Sequence, residues 1–238
     1  LGFTGLSDLW FSKYDMSNDE FSLLVDEVYE DMRPLYESLQ CHVRAELNDY
    51  YGDEIVPIDK PIPAHLLGNM WAQSWSNISD IVYDFDESSS IDLTQIILDR
   101  ELSEVEMVEI AESFFLSLGF DPLTDTFWDR SLFVKPKDRD VVCHASAWDI
   151  DSQKQDLRIK MCIQKNEEDF ITIHHELGHI FYYQAYADLP EVFQSGANDG
   201  FHEAVGDLLS LSITPSYLKD IDFISEEEAE RSKENAIG

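Results

Sequence analysis

Two histidines and a glutamate at fixed spacing are the residues of this sequence best suited to metal chemistry. His175, Glu176 and His179 form the pattern H-E-x-x-H. On a helix, residues four apart share a face, so the two imidazoles would project side by side and could bind one zinc ion. Glu176 would lie beside the open coordination position, where it could take a proton from water and pass it to a leaving amine. The alternative for this pattern alone is a chance match on an ordinary helix.

Two further acidic residues, Glu203 and Asp207, follow the histidines, and the first lies 24 residues after His179. Glu203 could be the third protein ligand that a catalytic zinc requires. Asp207 lies one turn further on the same face and could accept the outer N–H of a ligand histidine. In so acidic a chain the alternative is a solvated edge. The turn-rich connection before this segment and the apolar residues within it favour the ligand interpretation.

The elements that must position these residues are mainly helices. We predict a zinc helix over residues 167–186 and a second helix over 198–213. Two short β-like runs, 140–147 and 157–164, predict a small hairpin before the zinc helix. The sequence shows no repeat and no clear domain boundary.

The rest of the chain predicts a helical scaffold. Ser17 to Glu20 reads as a helix start, and apolar residues recur at helical spacing from there to Tyr51. Further helices are predicted over residues 64–82, 92–99 and 103–118, and residues 119–139 are predicted to form a loop. The expected fold class is therefore mainly α, with one small sheet beside the zinc helix.

Composition limits the partners. The chain has 238 residues, with 49 acidic and 16 basic side chains and a net charge of −33. This charge excludes nucleic acid as a natural partner and disfavours an anionic membrane surface, because both carry the same sign. No apolar run approaches the roughly 20 residues of a membrane span.

Four runs together resemble a known family, the angiotensin-converting-enzyme family of zinc peptidyl dipeptidases. They are residues 174–180, 196–207, 142–149 (VCHASAWD) and 61–75 (PIPAHLLGNMWAQSW). The resemblance covers nearly the whole chain. It implies that residues 1–238 are the central part of a single helical peptidase domain that is more than twice this length.

The resemblance also implies the reaction. One zinc ion would be held by His175, His179 and Glu203, and Glu176 would activate water to release C-terminal dipeptides from oligopeptides with a free C-terminus. Gln73 matches a position that holds the substrate's terminal carboxylate. A branch of the family that releases single residues carries arginine there, so glutamine favours dipeptide release.

Four further residues match substrate-binding positions of the family. His144 and Ala145 lie in a strand that pairs with the extended substrate, and Glu168 and Asp169 match acidic positions on the leaving side. The alternative for His144 alone is an ordinary strand histidine. For the two acidic residues it is a favourable interaction with the helix dipole.

The cysteines and one asparagine indicate the secretory route. The hairpin could bring Cys143 near Cys162, and the resemblance implies a disulfide between them; two buried free thiols are the alternative. Cys41 is expected to be a free, buried thiol. Asn77 begins a glycosylation sequon. Together these features predict a secreted or extracellular protein, anchored if the full-length chain carries a C-terminal anchor.

Two departures from the family pattern leave other functions open. Phe11 occupies the place of a chloride-binding arginine, so chloride binding at that position is doubtful. Family residues that hold the substrate carboxylate and stabilise the oxyanion would fall beyond Gly238. The alternatives are therefore an inactive zinc-binding homologue that acts as an interaction protein, and a single-residue metallocarboxypeptidase.

Overall fold

The structure is a computed structural model that describes residues 2–68, 72, 75–83, 91–198 and 200–235. The chain forms two compact units, residues 1–90 and 91–238. Both are mainly helical, and the described residues contain a single two-stranded sheet, which confirms the expected fold class. That the whole chain belongs to one catalytic domain stays a prediction.

The first unit is built around one long helix. Its helices are α1 (Leu6–Phe11), α2 (Asn18–Tyr51) and α3 (Ser79–Val82). The predicted start of α2 is confirmed: Ser17 caps it and forms a reciprocal capping box with Glu20, which satisfies backbone N–H groups that have no partner within the helix. A small apolar core packs against the C-terminal half of α2; it consists of Val43, Leu47, Val56, Ile62, Leu67, Ile78 and Val82.

The helix predicted over residues 64–82 is wrong for the described part of that range. Only two short 3-10 helices, Ala64–Leu66 and Ser76–Ile78, and the single turn of α3 form there. Gly68 has a φ of 78° and Ala72 a φ of 54°, both in the left-handed region. Since a right-handed helix cannot continue through such residues, the apolar spacing was misleading here.

The second unit carries the remaining elements. In order they are α4 (Leu93–Asp99), α5 (Glu104–Ser117), α6 (Asp125–Arg130), β1 (Ser146–Asp151), β2 (Asp156–Lys160), α7 (Glu167–Tyr186), α8 (Phe201–Ser210), α9 (Pro215–Asp220) and α10 (Glu226–Asn235). Short 3-10 helices occur at Ser152–Lys154 and Glu191–Phe193. The α6 helix lies within the predicted loop, because Thr124 accepts a hydrogen bond from the backbone N–H of Phe127 and begins a helix there.

Helix α7 lies at the centre of the hydrophobic core of the second unit. Ten of its 20 residues are buried, and Phe181 stacks on Phe115 of α5 with 4.3 Å between ring centroids. Fully buried neighbours on α7 include Phe170, Ile173, Leu177 and Ile180. A helix buried to this extent has little freedom to move, so the side chains on its remaining face keep fixed positions.

The hairpin forms, but its first strand lies later in the chain than predicted. β1 overlaps the predicted run 140–147 only at residues 146–147, and β2 ends at Lys160 within the predicted run 157–164. Antiparallel pairing begins at Ser146 opposite Lys160. Cys143 and Cys162 form the disulfide that the resemblance implies. If the strand register continued, Cys143 would lie opposite Ile163, one residue away from its disulfide partner. In a continued ladder the side chains of Cys143 and Cys162 would point to opposite faces of the sheet, because a shift of one residue reverses the side-chain direction. The chain therefore leaves the ladder before it reaches the disulfide.

None of the helices in the described part of the chain combines the length and apolarity that a bilayer crossing requires.

Candidate active site

The H-E-x-x-H residues lie in the middle of α7. Asn166 caps this helix by accepting a hydrogen bond from the backbone N–H of Asp169, at 2.8 Å. The first turn is acidic, which suits the positive end of the helix dipole. His175 and His179 share one face, and their Nε2 atoms lie 3.1 Å apart. The geometry that the spacing predicts for the two imidazoles is therefore present.

Helix α8 brings two carboxylates to the same place. The carboxylate of Glu203 lies 3.3 Å from His175 Nε2 and 3.7 Å from His179 Nε2. The carboxylate of Asp207, one turn later, lies 3.0 Å from the other ring nitrogen of His175, Nδ1. Both carboxylate side chains are 70% exposed, so α8 is a surface helix whose polar edge faces the two histidines.

These residues fit a zinc ion. Tetrahedral ligands at about 2.0–2.1 Å from zinc stand about 3.3 Å from one another. His175 Nε2 and His179 Nε2 are 3.1 Å apart, and the Glu203 carboxylate approaches them with different oxygens, Oε2 at 3.3 Å from His175 Nε2 and Oε1 at 3.7 Å from His179 Nε2. One ligand atom from each of the three residues can be chosen so that all lie within 4.8 Å of one another, so a small shift of the exposed Glu203 side chain would complete the set. Asp207 can accept the Nδ1–H of His175, which fixes the tautomer that leaves Nε2 free to bind the metal.

Glu176 differs from Glu203 and Asp207 in its surroundings. The residue is only 6% exposed, and within the described part of the chain its Oε2 atom is buried without a hydrogen-bond partner. Burial raises the pKa of Glu176 to about 7, against the opposing effect of His175, and Glu203 raises it further. A carboxyl group that titrates near neutral pH can both accept and return a proton. A bound cation would lower this pKa, because positive charge favours the ionised form.

Burial keeps the neighbouring histidines neutral. It is the main cause that lowers the pKa of His179, and it also lowers that of His202 on α8. A metal binds only the neutral imidazole, so this environment suits the ligand role proposed for His179.

A cavity of about 1200 Å³ joins the candidate ligands to most of the predicted substrate-binding residues. His144, Ala145, Glu168 and Asp169 all line it. His144 and Ala145 lie between the disulfide at Cys143 and the start of β1 at Ser146, so they are not in the strand as predicted. Glu168 is exposed, whereas Asp169 accepts a hydrogen bond from the backbone N–H of Gln164. Asp169 therefore has a structural role at the helix start as well.

The other predicted residues lie in the first unit. Gln73 lies outside the described residues. Phe11 packs on the ring of Phe21, with 5.0 Å between centroids, and its own side chain has no hydrogen-bond donor for an anion. Asn77 is exposed, and its amide donates to the carbonyl oxygen of Leu66 at 3.1 Å. The prediction that Cys41 is buried is wrong: it is a free, exposed thiol, because it lies off the face of α2 that carries Val43 and Leu47.

Sequence reasoning missed a cluster of aromatic residues beside the ligands. Tyr183 lines the cavity, and the hydroxyl of Tyr186 lies 3.0 Å from Nε2 of His202. The ring of His202 lies 4.6 Å from that of Tyr183 and 5.6 Å from that of His179. Helical spacing could have found Tyr183, because it lies four residues after His179 on the ligand face. The contact with His202 depends on how α8 packs and left no signal in the sequence.

The residue before the first candidate ligand is a buried anchor. His174 Nδ1 donates to the carbonyl oxygen of Phe170 at 2.8 Å, which leaves Nε2 to accept from the hydroxyl of Tyr217 at 3.2 Å. Burial lowers the pKa of His174 to about 4, so the ring is neutral at physiological pH. This pair ties the inner face of α7 to α9.

Comparison with known proteins gives one consistent result. The family model described as Angiotensin-converting enzyme matches residues 1–238. The chain is 45% identical over 228 residues to angiotensin-converting enzyme of Rattus norvegicus, a match that covers 95% of this chain and 17% of the relative. It is 43% identical over 233 residues to angiotensin-converting enzyme of Haematobia irritans exigua, covering 95% of this chain and 38% of the relative.

A third relative, angiotensin-converting enzyme of Theromyzon tessulatum, is 41% identical over 224 residues, covering 94% of this chain and 36% of the relative. The chain thus spans well under half the length of the curated relatives it matches.

Proposed function

The chain belongs to the angiotensin-converting-enzyme family, and from that premise we propose that it is part of a zinc peptidyl dipeptidase. The observation that carries this proposal is the cluster of His175, His179 and Glu203, whose candidate ligand atoms all lie within 4.8 Å of one another beside the buried Glu176.

Each residue of the cluster has a distinct role in this proposal. His175, His179 and Glu203 would hold one zinc ion, and Asp207 would orient His175. When bound, zinc supplies a Lewis acid that polarises a carbonyl oxygen and makes water more acidic. Glu176 takes a proton from the attacking water and later delivers it to the leaving amine nitrogen. Burial supports both transfers, because it raises the proton affinity of this carboxyl group above that of an exposed one and so offsets part of the effect of a nearby cation.

The cavity supports an extended peptide as the substrate. Among the described residues β1 pairs only with β2, so the other edge of β1 offers backbone groups to a peptide strand. His144 and Ala145 precede that edge, and Glu168 and Asp169 line the same cavity. Substrate binding by these four residues, with Gln73 favouring release of a dipeptide from a free C-terminus, is part of the proposal.

Two features support a secreted or extracellular site of action. A disulfide persists in oxidising compartments, and the chain contains one between Cys143 and Cys162. Asn77 is exposed, as a glycosylated asparagine must be.

Product analysis of the full-length protein that contains these residues tests the proposal. A peptide of defined sequence with a free C-terminus, and the same peptide with an amidated C-terminus, would be digested and followed by mass spectrometry. We expect dipeptides as the first product from the free peptide and much slower cleavage of the amidated one. We also expect about one zinc ion per chain, lost in Glu203→Ala.

The other outcomes separate the alternatives. Single amino acids as first products would indicate a single-residue carboxypeptidase. Bound zinc without any cleavage would indicate an inactive homologue that acts by binding. Full zinc content in Glu203→Ala would remove Glu203 from the ligand set.

A further inference from the structure

Two glycines lie where α7 and α8 touch. A Cβ atom added to Gly178 of α7 would lie 2.9 Å from the Cα atom of Gly206 on α8. A Cβ atom added to Gly206 would lie 2.9 Å from Cε1 and Nδ1 of His175 and 3.1 Å from the His175 carbonyl oxygen. Two of these four atoms are backbone, and the other two belong to the ring of His175, which lies 3.0 Å from the Asp207 carboxylate, so none can move aside cheaply.

The contact lies among the candidate metal ligands. Gly178 directly precedes His179 and follows His175 by three residues, so it lies beside the ligand face of α7. Gly206 directly precedes Asp207 and follows Glu203 by three residues, so it lies beside the polar edge of α8. Any change in the separation of the helices at this point therefore moves Glu203 and Asp207 relative to His175.

We propose that Gly178 and Gly206 are positioning residues that set the separation of α7 and α8 at the value a metal ion requires. The inference rests on the proposed ligand role of Glu203. A methyl group at Gly206 would have to retreat by at least about 0.5 Å to reach ordinary van der Waals contact, since that contact begins at 3.4 Å and the present distance is 2.9 Å. Metal–ligand distances tolerate only about 0.2 Å of deviation.

The direction of the effect distinguishes this role from ordinary helix stability. Glycine in the middle of a helix is less favourable than alanine, so alanine alone should stabilise α8. A loss of metal affinity in Gly206→Ala would therefore arise from the displaced helix, against the effect of helix propensity.

Cobalt titration of the full-length protein with its metal removed tests the inference. The absorption spectrum of Co²⁺ reports the geometry of its ligands, and competition with a chelator gives the affinity for Co²⁺ and for Zn²⁺. We expect Gly206→Ala to bind both ions about 10–100-fold more weakly, the range found when groups that orient ligands are altered, with a changed Co²⁺ spectrum. Circular dichroism would establish that the titrated protein is folded.

Gly200→Ala is the matched control. Gly200 caps the same helix with a φ of −77°, and among the described residues an added Cβ atom would meet only Asn198 Oδ1, at 3.9 Å. We expect wild-type affinity and spectrum for this variant.

Each result decides a separate point. Wild-type protein that binds no Co²⁺ would contradict the proposed function itself. Wild-type affinity and spectrum in Gly206→Ala, with normal binding in the parent, would overturn the positioning role alone. If Gly206→Ala does not fold, Gly178→Ala takes its place, and failure of both to fold would also overturn it, because the contact would then be a general requirement for folding.

Discussion

Helices α2 and α7 begin alike and are stabilised differently. Both have a polar N-cap, Ser17 or Asn166, followed by an acidic first turn. Only Val43 and Leu47 are buried among the 34 residues of α2, whereas half of the 20 residues of α7 are buried. Local interactions such as the capping box and the ion pair of Arg33 with Glu30 therefore matter more to α2, and tertiary packing matters more to α7.

The difference bears on where chemistry can occur. The apolar residues of α2 recur at helical spacing, yet Leu24, Val28 and Leu35 are exposed in this chain. In α7 the same kind of pattern is covered by a core, and that burial raises the pKa of Glu176. A helical pattern predicts a face, but only the neighbours of that face decide whether a carboxyl group on it becomes a useful base.

The largest expected effect is the loss of activity on removal of the proposed base on α7. In the full-length protein, Glu176→Gln should lower kcat by about 10²–10⁴-fold, because an amide cannot accept a proton at neutral pH. Zinc content should stay near one per chain. Glu27→Gln on the exposed surface of α2 is the matched control and should leave kcat unchanged. Loss of zinc together with activity would make Glu176 a ligand and contradict the roles proposed here.

A pair of aromatic truncations measures the difference in packing directly. Phe181→Ala should lower the free energy of unfolding by about 3–5 kcal/mol, because Phe181 is fully buried against Phe115. Tyr29→Ala on α2, where the side chain is 59% exposed, should change it by no more than about 0.5 kcal/mol. Chemical denaturation gives both values. Similar costs for the two would mean that additional chain or a partner covers α2.

A smaller effect should appear in the pH dependence of stability. Burial lowers the pKa of His174 to about 4 from 6.5, so the unfolded chain binds more protons than the folded chain between these values. Its contribution to stability is therefore complete above about pH 6.5 and falls as the pH drops towards 4, by on the order of 3 kcal/mol. In the metal-free protein, denaturation of His174→Asn across this range should show a shallower pH dependence than wild type. Equal slopes would contradict the buried, neutral state of this ring.

Local signals predicted the helices that carry the site. The sequence predicts the zinc helix over residues 167–186, the bounds that α7 has. It predicts the helix of Glu203 over residues 198–213, which is longer at both ends than α8. Helical period and capping residues act within a few turns, so they can be read from the sequence. The prediction failed over residues 64–82, where left-handed residues interrupt the chain, and at Thr124, where a helix begins inside a predicted loop.

The amino-acid sequence alone predicts the ligand types, the i, i+4 spacing on α7 and the order of the elements, because these depend on residue identity and on contacts within a few turns. The approach of Glu203 to His175 and the burial of Glu176 depend instead on how distant helices pack. Gly178 and Gly206 carry no chemical signal of their own; their importance arises because two helices distant in sequence meet there with no room for a methyl group. A distance between helices depends on packing around both, and no local pattern in the chain records it.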